Sequence, residues 1–179
     1  MNKTLERLFQ RLEEQRNTLL QHLQAHPYQQ LIAKPSSNKW SVLEILTHLY
    51  TSERLSFEYI KKKSQGIQHL KNSGIQQALL VPILKISQRL PFKFKAPNVV
   101  QENTPEALPL DKLISQWSLM RIELKSHLEN IPDKHVHKLV YKHPIAGRLS
   151  LPQALQFFAE HINHHKPQIK RTLSAKNKH

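Results

Sequence analysis

Residues 39–55 read KWSVLEILTHLYTSERL. Ser41 is followed three positions later by Glu44, the pattern in which a hydroxyl accepts from the N3 amide and the N3 carboxylate reaches back to the N-cap amide. Trp40 and Ile45 stand at the positions of a hydrophobic staple across that cap. A helix is therefore predicted from Val42 to about Lys63, with Ile45, His48, Leu49, Ser52, Leu55 and Tyr59 on one face. A histidine in the middle of such a face is the first hint of chemistry.

Three more segments share the helical period. Leu5, Leu8, Phe9, Leu12, Leu19, Leu20 and Leu23 mark an amphipathic helix of about six turns that ends before His26 and Pro27. Leu110, Leu113, Ile114, Trp117, Leu124 and Leu128 mark another, closing before Ile131 and Pro132. The last starts at Ser150 with a capping box through Gln153, and Pro152 falls in the first turn, where backbone donors have no helical partner. Its apolar positions are Leu151, Ala154, Leu155, Phe158, Ile162 and Ile169. No convincing strand alternation competes, so the chain reads as an all-α four-helix bundle. About 45 residues separate the second and third helices, including IQQALLVPILKI, which Pro82 would break. A connection this long need not reverse direction, so those two helices can run parallel.

At 179 residues the sequence fits one domain, 1–179, with a basic tail at about 174–179. Hydrophobic residues make up 39% and charged residues 22%, and no apolar run approaches the roughly 18 residues of a membrane span. The first segment alternates charge with leucine and lacks the apolar core of a secretory signal, so a cytoplasmic location is expected. Without cysteine there are no disulfides and no thiolate metal sites. Lys and Arg total 27 against 13 acidic residues, a net charge of +14, and residues 134–179 alone carry a net +8. Such a balance suits anionic partners, but no aromatic-interleaved basic stripe accompanies it, which argues against nucleic acid. Three glycines leave no phosphate-cradling motif. Pairing of two copies through bundle helices is compatible with the pattern but has no specific mark.

The fourth helix carries EHINHHKPQI, residues 160–169. On a helical wheel His165 falls on the apolar arc, His161 at its edge and His164 outside it. The 161/165 pair, four residues apart, can converge on one ion. His48 on the second helix offers a third imidazole. Three neutral nitrogen ligands favour a divalent first-row metal such as zinc or nickel, and leave a coordination position open. Glu44, Tyr50, His143, Glu160 and His164 are further polar groups to weigh. Glu44 is accounted for by capping and His143 by the HPIAG turn ending at Gly147, and none is singled out as a catalytic base.

In these residues the sequence resembles the DinB-like family of metal-dependent enzymes, which includes bacillithiol transferases. The resemblance runs through the leading helix, KWSVLEILTHL, the KAP element at Lys95–Pro97 and HPIAGRLSLPQALQFFAEHINHHKPQI, with its H-x-x-H-H-x-x-Q-I ending. It implies a bundle with up-down-down-up topology and a metal triad of His48, His161 and His165. It also implies Lewis-acid activation of a thiol or of water, hence a thiol transferase or a hydrolase acting on a small anionic substrate such as a low-molecular-weight thiol. Pro167 departs from the pattern two residues past His165 and bears on the local helix geometry. The competing reading is a non-catalytic basic helical module with a structural ion or none.

Overall fold

A capping box marks where two of the long helices of the bundle begin. In the computed structural model, which describes residues 1–74, 106–143 and 146–175, Ser41 Oγ accepts from the Glu44 amide at 3.2 Å and Glu44 Oε2 accepts from the Ser41 amide at 2.7 Å. The helix behind this box spans Val42–Ser64. At Ser150 the Gln153 Oε1 accepts from both the backbone amide, at 2.9 Å, and the hydroxyl, at 3.1 Å, and the helix spans Leu151–Ser174. It continues through Pro167. The remaining helices are α1 (Lys3–Gln24), a short α2 (Tyr28–Ile32) absent from the sequence reading, and α4 (Leu110–Glu129); those at Val42 and Leu151 are α3 and α5.

The four long helices pack in a ring, α1 against α5 and α4, and α3 against α4 and α5. Side-chain contacts give their directions. Gln15 Nε2 donates to Ala159 O at 2.9 Å, and Gln30 of α2, tied through His26 to His22 at the C-terminal end of α1, donates from Nε2 to Leu173 O at 3.2 Å, so α1 and α5 run the same way. Glu53 meets Trp117 and Arg121, and Ser64 meets His127, so α3 and α4 are parallel. His48 faces His161 and His165, whereas the later Ser56 bonds Tyr141, whose ring lies on the earlier Phe157; α3 and α5 are antiparallel. The result is the up-down-down-up bundle that the family resemblance implies, with the second and third long helices parallel as the long connection allows. The expected broken helix around Pro82 and the KAP element at Lys95–Pro97 lie outside the described residues, as does most of the basic tail.

Leu5, Leu12, Leu23, Ile45, Leu46, Phe57, Leu113, Trp117, Leu124, Leu151, Ala154 and Ile162 form the core at 1% exposure or less. Each large aliphatic or aromatic side chain so buried contributes about 1.5–3 kcal/mol by leaving water. Of the residues sharing a face with His48, Leu55 is half-buried and Tyr59 is exposed, because the core side of α3 passes through Glu53, Ser56, Phe57 and Ile60. Charge also enters the core. Arg121, 1% exposed, donates from Nη2 to Glu53 at 2.8 Å and from Nη1 to Glu13 at 2.9 Å, while Arg16 reaches Glu13 at 3.0 Å and Trp117 Nε1 reaches Glu53 at 3.2 Å. Two arginines thus meet two carboxylates, so the buried cluster is charge-balanced.

The helices are joined on the α5 side by a hairpin that the sequence reading did not anticipate. β1 (Tyr141–His143) pairs antiparallel with β2 (Gly147–Leu149) in the register Tyr141 to Leu149 and His143 to Gly147. Gly147 turns the chain at φ 71°, the left-handed region that a side chain would strain. The Ala146 amide donates to His143 Nδ1 at 2.9 Å, tying the histidine into the turn as expected for HPIAG. Among the described residues, no helix is long and apolar enough to cross a membrane.

Candidate metal centre

His161 and His165 stand one turn apart on α5, and the antiparallel α3 brings His48 opposite them. The three rings form a triangle with centroids 5.2 Å (48 to 161), 5.2 Å (48 to 165) and 5.0 Å (161 to 165) apart. One nitrogen from each lies within 4.8 Å of the other two. His48 and His165 are 7% and 8% exposed and His161 is partly buried, while His164 is exposed, the same ordering that the helical wheel gives.

Each ring is held differently. Trp40, 40% exposed, rests on His48 at 5.2 Å. Phe157 lies nearly parallel to His161, at 5.7 Å and 11°, and His143 meets Phe157 edge-on at 4.4 Å. His165 Nδ1 lies 2.8 Å from Gln168 Oε1, one turn on. Phe157 is not singled out by the sequence, and Gln168 enters it only as part of the H-x-x-H-H-x-x-Q-I ending, three residues past His165, where helical neighbours meet.

Burial sets the protonation of the cluster. Desolvation, reinforced by the neighbouring imidazoles, holds His48 and His165 down to about 4 and His161 well below the ordinary value. His143 is likewise held at about 4 by burial. All three clustered imidazoles are therefore neutral at pH 7, each with one nitrogen lone pair available. A set of three neutral nitrogens, without carboxylate or thiolate, matches a divalent first-row transition ion better than magnesium or calcium. The residues present fit such an ion.

The other polar candidates are placed elsewhere. Glu44 is engaged by Ser41 and, at 2.6 Å, by Lys34, and these contacts hold its carboxyl below its usual range against the opposing effect of burial. The Tyr50 ring lies 6.3 Å from Trp117, in the α3–α4 seam. Glu160 is partly buried next to the pair, and His164 stacks edge-on against His165 at 5.0 Å. His143 lies across Phe157 from His161, since Phe157 touches both rings.

Comparison with known proteins agrees with the fold. YfiT of Bacillus subtilis, described as a probable metal-dependent hydrolase with an unusual four-helix bundle topology, superposes with a TM-score of 0.59 over 96% of this chain and 87% of its own, at 16% sequence identity. At that identity the likeness is one of fold. YuaE of Bacillus subtilis (strain 168), an uncharacterised protein, is 23% identical over 142 residues, 79% of this chain and 82% of its own. A family model covers nearly the whole bundle, residues 11–169, including all three clustered histidines, and by that match the chain belongs to the DinB superfamily.

Proposed function

We propose that this protein is a metal-dependent enzyme in which His48, His161 and His165 hold one divalent transition-metal ion, zinc or nickel. Its reaction is the transfer of a low-molecular-weight thiol, or hydrolysis, on a small anionic substrate. The observation that carries the reading is the convergence of three imidazole nitrogens within 4.8 Å, from two helices, in a fold shared with YfiT, which is described as a probable metal-dependent hydrolase. An ion bound there supplies Lewis-acid activation of a thiol or of water at neutral pH. Three protein ligands are the complement that leaves a catalytic metal open to substrate.

The chain's own residues contribute orientation and environment. Phe157 stacks nearly parallel to His161, and Trp40 packs at a tilt against His48, restricting the space in which each ring can turn. The low proton affinity of the buried rings keeps them neutral across the physiological range. The excess of lysine and arginine supports an anionic partner.

The test offers the zinc- or nickel-loaded protein an electrophile, 1-chloro-2,4-dinitrobenzene, with a panel of small thiols, and separately simple esters and amides. Turnover that needs the metal, and that falls to background in His161→Ala and His165→Ala, is expected. A loaded protein that turns over none of them would favour the non-catalytic module. In that case, tight binding of duplex or single-stranded DNA at physiological salt, unaffected by His48→Ala, would identify nucleic acid as the ligand.

A further inference from the structure

The geometry points to Gln168 as the positioning residue of the centre, a role that rests on the reading of His165 as a metal ligand. Gln168 Oε1 lies 2.8 Å from His165 Nδ1. A carboxamide oxygen can only accept, so Nδ1 carries the hydrogen and Nε2 keeps the lone pair. A neutral imidazole otherwise divides its proton between the two nitrogens, and a ring with hydrogen on the inward nitrogen cannot ligate. Gln168 therefore selects the one tautomer of His165 that can bind an ion, and fixes the ring's rotation. It also raises the basicity of Nε2, as an acceptor on the far nitrogen of a ligating histidine does.

The three rings are not equivalent in this respect. Among the described residues, no hydrogen bond reaches the ring of His48 or of His161, which are held by Trp40 and Phe157 through ring packing alone. Packing fixes the plane of an imidazole but not its tautomer. His165 is thus the preset ligand, and the other two adopt their tautomers when the ion arrives. Gln168 makes this contact from the same helix, three residues on, so the arrangement depends only on the local geometry of α5 and exists before any metal binds.

Two measurements test the role. In the metal-free protein, imidazole 15N chemical shifts should show His165 protonated on Nδ1, and Gln168→Leu should give a mixture of tautomers. Affinity for zinc, from competition with a chromophoric chelator at pH 7.5, should fall about 10- to 100-fold in Gln168→Leu. It should stay at or above the wild-type value in Gln168→Glu, since a carboxylate can only accept. Urea midpoints of the metal-free variants matching wild type would separate this loss from a folding defect, because Gln168 is only partly buried. Unchanged affinity in Gln168→Leu, a wild-type His165 protonated on Nε2, or a Gln168→Glu loss as large as that of Gln168→Leu would each overturn the assignment while leaving the three-histidine centre standing. A wild-type protein that binds no zinc or nickel would remove the centre and this role together.

Discussion

Lowering the pH of the metal-free protein from 7 to 5 should destabilise it steeply. The perturbed groups are His48, His143 and His165, each held at about 4 against an ordinary 6.5 by burial. Their folded values lie below their unfolded ones, so at pH 5 the unfolded chain binds protons that the folded chain refuses. The stability they contribute is present above about pH 6.5 and is lost as the pH falls toward 4. Integrating proton uptake over that window gives a loss of about 2 kcal/mol per histidine between pH 7 and pH 5, or roughly 5 kcal/mol for the three. His161 acts in the same direction. Against a typical total of about 5–15 kcal/mol, this is a third or more of the whole. Urea denaturation at pH 7, 6 and 5 reads it directly, as a falling midpoint at constant slope. Replacing His48 or His165 with Asn should remove about one group's share of the dependence. Midpoints that agree at pH 7 and pH 5, or a full pH dependence surviving in both variants, would refute the claim that these rings are buried and neutral.

Two further changes probe the scaffold around the centre. Glu53→Leu leaves the buried Arg121 with Glu13 as its remaining carboxylate and should cost about 3–5 kcal/mol by urea denaturation, and adding Arg121→Met should recover much of the loss because no unpaired charge then remains in the core. Ser41→Ala deletes the acceptor for the Glu44 amide and should cost about 1 kcal/mol, seen as a lowered thermal midpoint.

What the sequence made legible was local. The starts of α3 and α5 follow from Ser41 with Glu44 and Ser150 with Gln153, because a capping box is written in four consecutive residues. The phase of His161, His164 and His165 follows from the 100° step of a helix. The partnership of His48 with that pair is a contact across more than a hundred residues; helix periodicity puts it on a buried face, and family resemblance supplied its partner. The hairpin was invisible because strands of three residues are too short to display a two-residue period. The buried cluster of Arg16, Arg121, Glu13 and Glu53 was invisible for another reason. Charged residues on a helix read as solvent-facing, and only the packing of α1, α3 and α4 shows opposite charges meeting inside. Phe157 escaped notice beside Phe158, and its place against His161 appears only once the hairpin brings His143 to its other edge.

The central claim is that His48, His161 and His165 form one metal site. Elemental analysis after stripping, reloading with zinc or nickel and removal of excess ion measures it most directly, on the wild type and on single alanine variants. One ion per chain is predicted in the wild type and in His164→Ala, and an empty site in His48→Ala, His161→Ala and His165→Ala. A wild type without stoichiometric metal, or an ion kept by His161→Ala and lost by His164→Ala, would contradict it.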